Sequence, residues 1–303
     1  MSMENLSLMY ENCTLCPRMC RTDRRRKPGL CGQGTSLKAA RAALHFWEEP
    51  CLSEHGGSGA VFFSGCTLRC CYCQNYKISQ EGLGKEISPE RLGEIFLSLQ
   101  DKGARNIDLI TATHFLPSIL PVLDKVKPYL HIPVVYNCGG YERVETLRML
   151  EGYVDIYLPD LKYFSREISR KYSGAPDYFQ YASQAIPEMI RQCGKPILDK
   201  DGMLVRGVLI RHMVLPGQTE DSIRLLHWMK ENLPEKSWLI SLMSQYTPFY
   251  HAGKHPEINR RLTTYEYQKV LDAALSLGLD QGYMQERTSA KEDYTPPFDL
   301  EGL

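Results

Sequence analysis

Six short apolar runs, at residues 60–63, 107–110, 134–136, 154–158, 207–210 and 238–242, are separated by stretches long enough to hold a helix. Parallel strands need crossovers of a dozen or more residues, most often helical, so this alternation predicts a parallel sheet of βα units. The stretch between the first two runs carries helix punctuation. Ser88 can cap it, Pro89 suits its first position, Leu92, Ile95, Phe96 and Leu99 share one face, and Gly103 follows its end. Further helices are expected at 118–126, with Ile119, Leu123 and Val126 inward and Pro121 near the start, at 219–232, and at 262–277 before Gly278.

Curled rather than flat, six such units make most of a barrel. The expected fold class is α/β, a partial (β/α)6 TIM-like barrel over residues 51–287. Residues 1–50, with thiols, a basic run and little periodicity, read as a small Cys-rich N-terminal module. Residues 288–303, with Pro296, Pro297 and several charges, read as an extended C-terminal tail. Lys and Arg number 36 and Asp and Glu 36, so bulk charge does not direct the chain to nucleic acid or to an anionic membrane. No run of about 18 apolar residues is present and the first residues lack a signal-peptide pattern, so a soluble cytoplasmic protein is expected.

Against that background the 11 cysteines stand out. An odd number in a chain with no secretion pattern argues against a disulfide framework and for metal binding or reactivity. Cys66, Cys70 and Cys73 follow the first apolar run at once, where the loops of parallel βα folds carry chemistry. The spacing Cys66-x3-Cys70-x2-Cys73 puts three thiolates in one loop, and Gly65 lets that loop turn. Three thiolates can hold three irons of a [4Fe–4S] cube and leave the fourth open, whereas structural zinc wants a fourth ligand nearby. Cys71, between Cys70 and Tyr72, is expected to point away.

This motif, Cys-x3-Cys-x-aromatic-Cys with Tyr72 in the aromatic place, resembles the signature of the radical S-adenosylmethionine superfamily. The resemblance implies that Cys66, Cys70 and Cys73 ligate a [4Fe–4S] cluster whose open iron chelates S-adenosylmethionine. One electron, from a donor such as flavodoxin or ferredoxin, would then generate a 5′-deoxyadenosyl radical that removes a substrate hydrogen. Three more segments resemble the glycyl-radical-enzyme activases of that superfamily. Asp160 and Lys162, at a strand end, would meet the charged groups of the ligand; His212 would stand beside the adenosyl group; Asn137 would contact the nucleoside or the carboxylate. The frequent Gly-Gly-Glu after the second strand is replaced here by Thr111-Ala112-Thr113-His114. Thr111 and Thr113 could take its place through hydroxyls and carbonyls, with His114 toward substrate. With the leading cysteines and the segment 243–248, the likeness extends over nearly the whole chain, to the pyruvate formate-lyase activating enzyme-related subgroup.

Cys13, Cys16, Cys20 and Cys31 offer four thiolates for a second metal site, zinc or Fe–S, with Pro17, Pro28 and Gly29 supplying turns. Free thiols are the plainer alternative. Arg21, Arg24, Arg25, Arg26 and Lys27 make a local basic run that suits a solvated face beside anionic thiolates better than RNA. Of the isolated thiols, Cys138 is the better candidate hydrogen-atom donor and Cys193 the weaker; both also suit buried packing. Three functions follow: an activase-like oxidoreductase working on a protein; a radical epimerase or other modifier of a sugar or small molecule, its pocket lined by Tyr246, Phe249, Tyr250, His251 and His255; and a non-catalytic zinc and RNA-binding protein.

Overall fold

The computed structural model describes residues 3–285 and 295–303. Among the described residues the strands are β1 (Lys38–His45), β2 (Ser58–Phe63), β3 (Lys85–Glu86), β4 (Ile107–Ile110), β5 (Val134–Cys138), β6 (Ile156–Pro159), β7 (Ile197–Leu198), β8 (Leu204–Met213), β9 (Leu239–Met243) and β10 (Gly282–Met284). The helices are α1 (Met3–Leu8), α2 (Pro50–Ser53), α3 (Tyr76–Ser79), α4 (Pro89–Asp101), α5 (Leu116–Val126), α6 (Val144–Arg148), α7 (Arg166–Ser173), α8 (Tyr178–Cys193), α9 (Thr219–Asn232) and α10 (Thr264–Ser276). None is long and apolar enough to cross a membrane.

The sheet runs β10-β9-β8-β6-β5-β4-β2-β1-β3, with β7 beside β8. Every pairing from β2 to β10 along that path is parallel, while β1 runs antiparallel to β2 and to β3. This is the α/β architecture of a partial barrel, and its six expected strands are β2, β4, β5, β6, β8 and β9. Two further strands extend it. β10 adds a seventh parallel strand, and β1, within the stretch expected as the Cys-rich module, forms an antiparallel outer strand.

Alternation along the strands separates two faces. Val61, Leu109, Tyr136, Ile210 and Leu242 face the helices and join the main core. Ala60, Phe62 and Ile110, with Val135, Ile156, Leu158 and Leu209, fill the inside in two smaller clusters. α4 starts as expected, Ser88 accepting from the Arg91 N–H with Pro89 next. α5 begins at Leu116, so Pro121 falls in its second turn, and Ile119, Leu123 and Val126 are buried as expected. α10 opens on a capping box between Thr263 and Glu266. Of the expected tail, residues 288–294 lie outside the described residues. Residues 295–303 lie along β1: Leu300 N–H donates to Ala40 O at 3.1 Å, Ala42 N–H to Glu301 O at 2.8 Å, and Arg41 pairs with Asp299 and Glu301.

Candidate active site

A cavity of about 720 Å³ opens at the carboxyl ends of the parallel strands. Cys66, Cys70 and Cys73, carried by the loop after β2, line it, and so do Thr111 after β4, Asn137 on β5, and Asp160 and Lys162 after β6. Cys71 does not; its N–H instead donates to Tyr172 O at 2.7 Å. Thr113, His114 and His212 are not among the lining residues either. Thr113 donates to buried Glu142 Oε1 at 2.8 Å. His114 is tied by Nε2 to Ser64 O at 2.8 Å, and His212 by Nδ1 to Leu161 O at 2.6 Å. Burial pushes both rings down, His114 to about 3 and His212 to about 4, so both are neutral. Strand alternation accounts for His212: its neighbour Arg211 takes the inward place on β8. Cys138 borders the cavity at the end of β5 but belongs to the helix-side core, where burial pushes its thiol well up. Cys193 is buried at the end of α8. Of the aromatic and histidine residues after β9, Tyr246 and Phe249 line the cavity.

Each sulfur of the loop has a neighbouring donor. Leu68 N–H approaches Cys66 Sγ at 3.4 Å, Ser173 Oγ–H donates to Cys70 Sγ at 2.9 Å, and Cys73 Sγ lies 3.4 Å from Ser79 Oγ. Behind Ser173 a chain of buried hydroxyls continues through Tyr163, at 2.6 Å, to Tyr72, at 2.5 Å. Asn75, which also lines the cavity, has its Oδ1 buried without a hydrogen-bond partner. Three cysteines from one loop on one wall suit a [4Fe–4S] cluster with one iron open to a ligand. Among the described residues no three His, Cys, Asp or Glu side chains converge as a single metal ion requires.

The N-terminal segment braces this loop. Arg18 donates from Nε to Thr67 O at 2.8 Å and from Nη2 to Ser173 O at 3.1 Å, and Arg69 Nη2 reaches Leu30 O at 3.0 Å. Gly65 has φ +86°, and a Cβ there would meet Gln33 Cγ at 2.5 Å and Cys31 O at 2.7 Å. Gly65→Ala therefore combines a left-handed backbone with a clash against main chain. It is expected to cost more than about 1 kcal/mol in denaturant unfolding and to loosen the segment, read as faster proteolysis before residue 38. Of the basic run, Arg21, Arg25, Arg26 and Lys27 are exposed, the solvated face expected, with Arg25 and Arg26 beside Asp23. Arg24 is the exception, only 2% exposed.

Charge is concentrated in the same cavity. Arg211 donates from Nε to Asp160 Oδ1 at 2.9 Å, from Nη1 to Glu48 Oε2 at 3.2 Å and from Nη2 to Asn137 Oδ1 at 2.7 Å. Asn137 in turn donates to Asp108 Oδ2 at 3.2 Å, and Lys162 Nζ donates to Asp160 Oδ2 at 2.6 Å. Burial alone would lift Asp160, but Arg211 and Lys162 hold it below the ordinary carboxylate value. Burial pushes Glu49, which also lines the cavity, up to about 7 against the pull of Arg211, and Asp108 well above its usual range. Sequence reading missed Arg211, Glu48, Glu49 and Asp108. For Arg211 a signal existed: with Leu209 inward on β8, Arg211 must be inward too.

Glu142, bonded to Thr113 and Tyr136, is pushed by burial up to about 8. A carboxyl whose folded pKa exceeds its unfolded value of about 4.3 binds more protons when folded, so stability falls as pH rises toward the folded pKa. Above about pH 6.5 the buried histidines no longer oppose this slope, because unfolded histidine is already neutral there. Stability is therefore expected to fall by on the order of 1–2 kcal/mol between pH 6.5 and 8. Glu142→Gln should flatten that segment of a melting-temperature profile, and an unchanged slope would refute the assignment.

A three-cysteine loop at the mouth of a parallel barrel, with buried charge in the same cavity, defines the class. The family model described as the Radical SAM superfamily matches residues 60–229, and the chain belongs to that superfamily. The chain is 30% identical over 287 residues to an uncharacterized protein of Methanocaldococcus jannaschii, covering 91% of this chain and 78% of the relative. SuiB of Streptococcus suis, bound to its precursor peptide SuiA, shares the fold with a TM-score of 0.50 at 12% identity. The match covers 73% of this chain and 46% of SuiB, so the chain spans about half the length of that structure. Methylornithine synthase (PylB) is similar over 91% of this chain and 70% of its own, with a TM-score of 0.49 and 15% identity.

Proposed function

We propose that this radical S-adenosylmethionine enzyme acts on a protein, abstracting hydrogen from a polypeptide backbone in the manner of a glycyl-radical-enzyme activase. Membership of the superfamily implies a [4Fe–4S] cluster and S-adenosylmethionine. Cys66, Cys70 and Cys73 would hold the cluster. When bound, the pair supplies a 5′-deoxyadenosyl radical at the cost of one electron, from a donor of the flavodoxin or ferredoxin class. The chain's own part is to bind, orient and exclude water. Lys162 offers a cation for the methionine carboxylate, Asp160 an anion for its ammonium, and Thr111 and Asn137 polar groups beside them.

The observation that carries the protein-substrate reading is the rim. Phe46 and Trp47 border the cavity and remain 57% and 59% exposed, an apolar lip at the entrance of a charged site. Exposed aromatics at a cavity mouth suit a docking polypeptide better than a freely diffusing small molecule. The test is to incubate reduced, reconstituted enzyme with S-adenosylmethionine and candidate glycyl-radical enzymes and to record electron paramagnetic resonance. A glycyl doublet that weakens in a Phe46→Ala/Trp47→Ala chain supports the reading. Deuterium transfer from a small molecule, undisturbed by those two substitutions, would overturn it in favour of a sugar or small-molecule modifier.

A further inference from the structure

The four N-terminal cysteines play no part in lining the cavity, yet they are gathered. They lie in residues 9–37, which carry no helix or strand. The loop holding Cys13, Cys16 and Cys20 folds back on itself, Cys13 N–H donating to Thr22 O at 3.2 Å and Arg21 N–H to Cys13 O at 2.9 Å. Met19 and Arg21 within it adopt positive φ of 37° and 52°, a conformation that non-glycine residues hold only when their surroundings impose it. Cys31 joins from the other side. A Cβ on Gly29 would meet Cys20 Sγ at 3.4 Å, Cys31 Sγ at 3.5 Å and Arg24 Cδ at 3.5 Å, so both sulfurs and the arginine share one small space.

Arg24 is the second observation. Its guanidinium is buried, always charged, and donates to the carbonyls of Gln33 at 3.1 Å, His114 at 2.5 Å and Gly34 at 2.5 Å, with Tyr10 packed on its face at 4.7 Å. All of these partners are neutral. A buried cation without a negative counterpart is strongly unfavourable. Besides the Phe115 ring, 5.9 Å away and also neutral, Arg24 has Cys13 Sγ 3.9 Å from Nη1, with Cys20 and Cys31 sharing the space beside Gly29. As thiols these groups give Arg24 no charge; as ligands of a metal they are thiolates, and four of them leave the centre net negative.

A single zinc ion would require the sulfurs to converge on one point, and among the described residues no such group converges. The same spread holds for Cys66, Cys70 and Cys73, the loop whose family carries a cluster. In an iron–sulfur cube each thiolate binds its own iron, so the ligands stand apart. We propose that Cys13, Cys16, Cys20 and Cys31 hold a second iron–sulfur cluster, with Arg24 as its buried counter-charge. The site sits against the catalytic loop, where the Cys31 carbonyl fills the space beside Gly65.

The test uses the full chain carrying Cys66→Ala, Cys70→Ala and Cys73→Ala, reconstituted anaerobically with iron and sulfide. About four iron and four sulfide per chain should remain, and should be lost on adding Cys20→Ser and Cys31→Ser. Should the triple variant fail to fold, the unmodified chain serves: about eight iron supports the proposal and about four refutes it. Zinc without iron, or no metal, in the triple variant also overturns it. For the counter-charge, potentiometry of the N-terminal cluster in the triple variant should show a lower midpoint in Arg24→Gln and a near-normal one in Arg24→Lys. An unmoved midpoint in Arg24→Gln would remove Arg24 from the assignment.

Discussion

Chains carrying Cys66→Ala, Cys70→Ala or Cys73→Ala are each expected to form no 5′-deoxyadenosine above background, whereas Cys71→Ala and Cys193→Ala chains keep it. The contrast follows from placement. The first three cysteines line one cavity wall in one loop, while Cys71 does not line it and Cys193 is buried in α8. Removing a ligand should exceed the ~10–100-fold loss typical of an outer partner, and Ser173→Ala supplies that comparison by deleting only the hydroxyl that donates to Cys70 Sγ. Cys66 and Cys73 are half-buried, so their alanine variants should keep the fold, checked by circular dichroism. Nucleoside chromatography after anaerobic reduction reads the result. Cleavage at the unmodified rate in Cys66→Ala would show that the loop does not carry the chemistry.

The parts of this architecture that were legible in the sequence are those encoded locally. β2, β4 and β5 are buried throughout and mostly apolar, and α4 announces itself through Ser88 and Pro89. β1 escapes because its sequence KAARAALH is rich in alanine, a poor strand former, and the strand is held by its pairing with β2 and the tail. α8 escapes because Pro187 interrupts an otherwise regular face of Ala182, Ala185, Ile186 and Met189. The cysteine loop is legible because a cluster's ligands are close in sequence. The charged group is legible only in part: Asn137, Asp160 and Lys162 show as strand-end residues, but Glu48, Asp108 and Arg211 come from three further segments and meet them only when the sheet forms. Arg24 shows the limit of reading a basic run: composition does not say which member turns inward.

Arg211→Met is expected to destabilise the fold by about 3–5 kcal/mol, far beyond what an exposed ion pair of this chain contributes. The Arg191–Glu151 pair has both side chains 52% exposed, and exposed pairs of that kind are worth roughly 0–1 kcal/mol. Arg211 differs because its side chain is 13% exposed, facing Asp160 at 22% and Glu48 at 11%. Deleting it leaves Glu48 without this cation, Asp160 with Lys162 alone, and Asn137 Oδ1 without its donor. The penalty comes from stranding those groups more than from the pair itself. A second substitution, Asp160→Asn, should therefore recover part of the loss in the double variant, a coupling that independent sites would not show. Arg211 also pulls the Glu49 carboxyl down from where burial pushes it. In Arg211→Met, Glu49 should stay protonated to higher pH, moving the cavity's titration upward from about 7. Denaturant unfolding measures the first effect and proton-detected titration of the carboxyl the second. A loss below about 1 kcal/mol would mean that water screens this wall as it screens the surface.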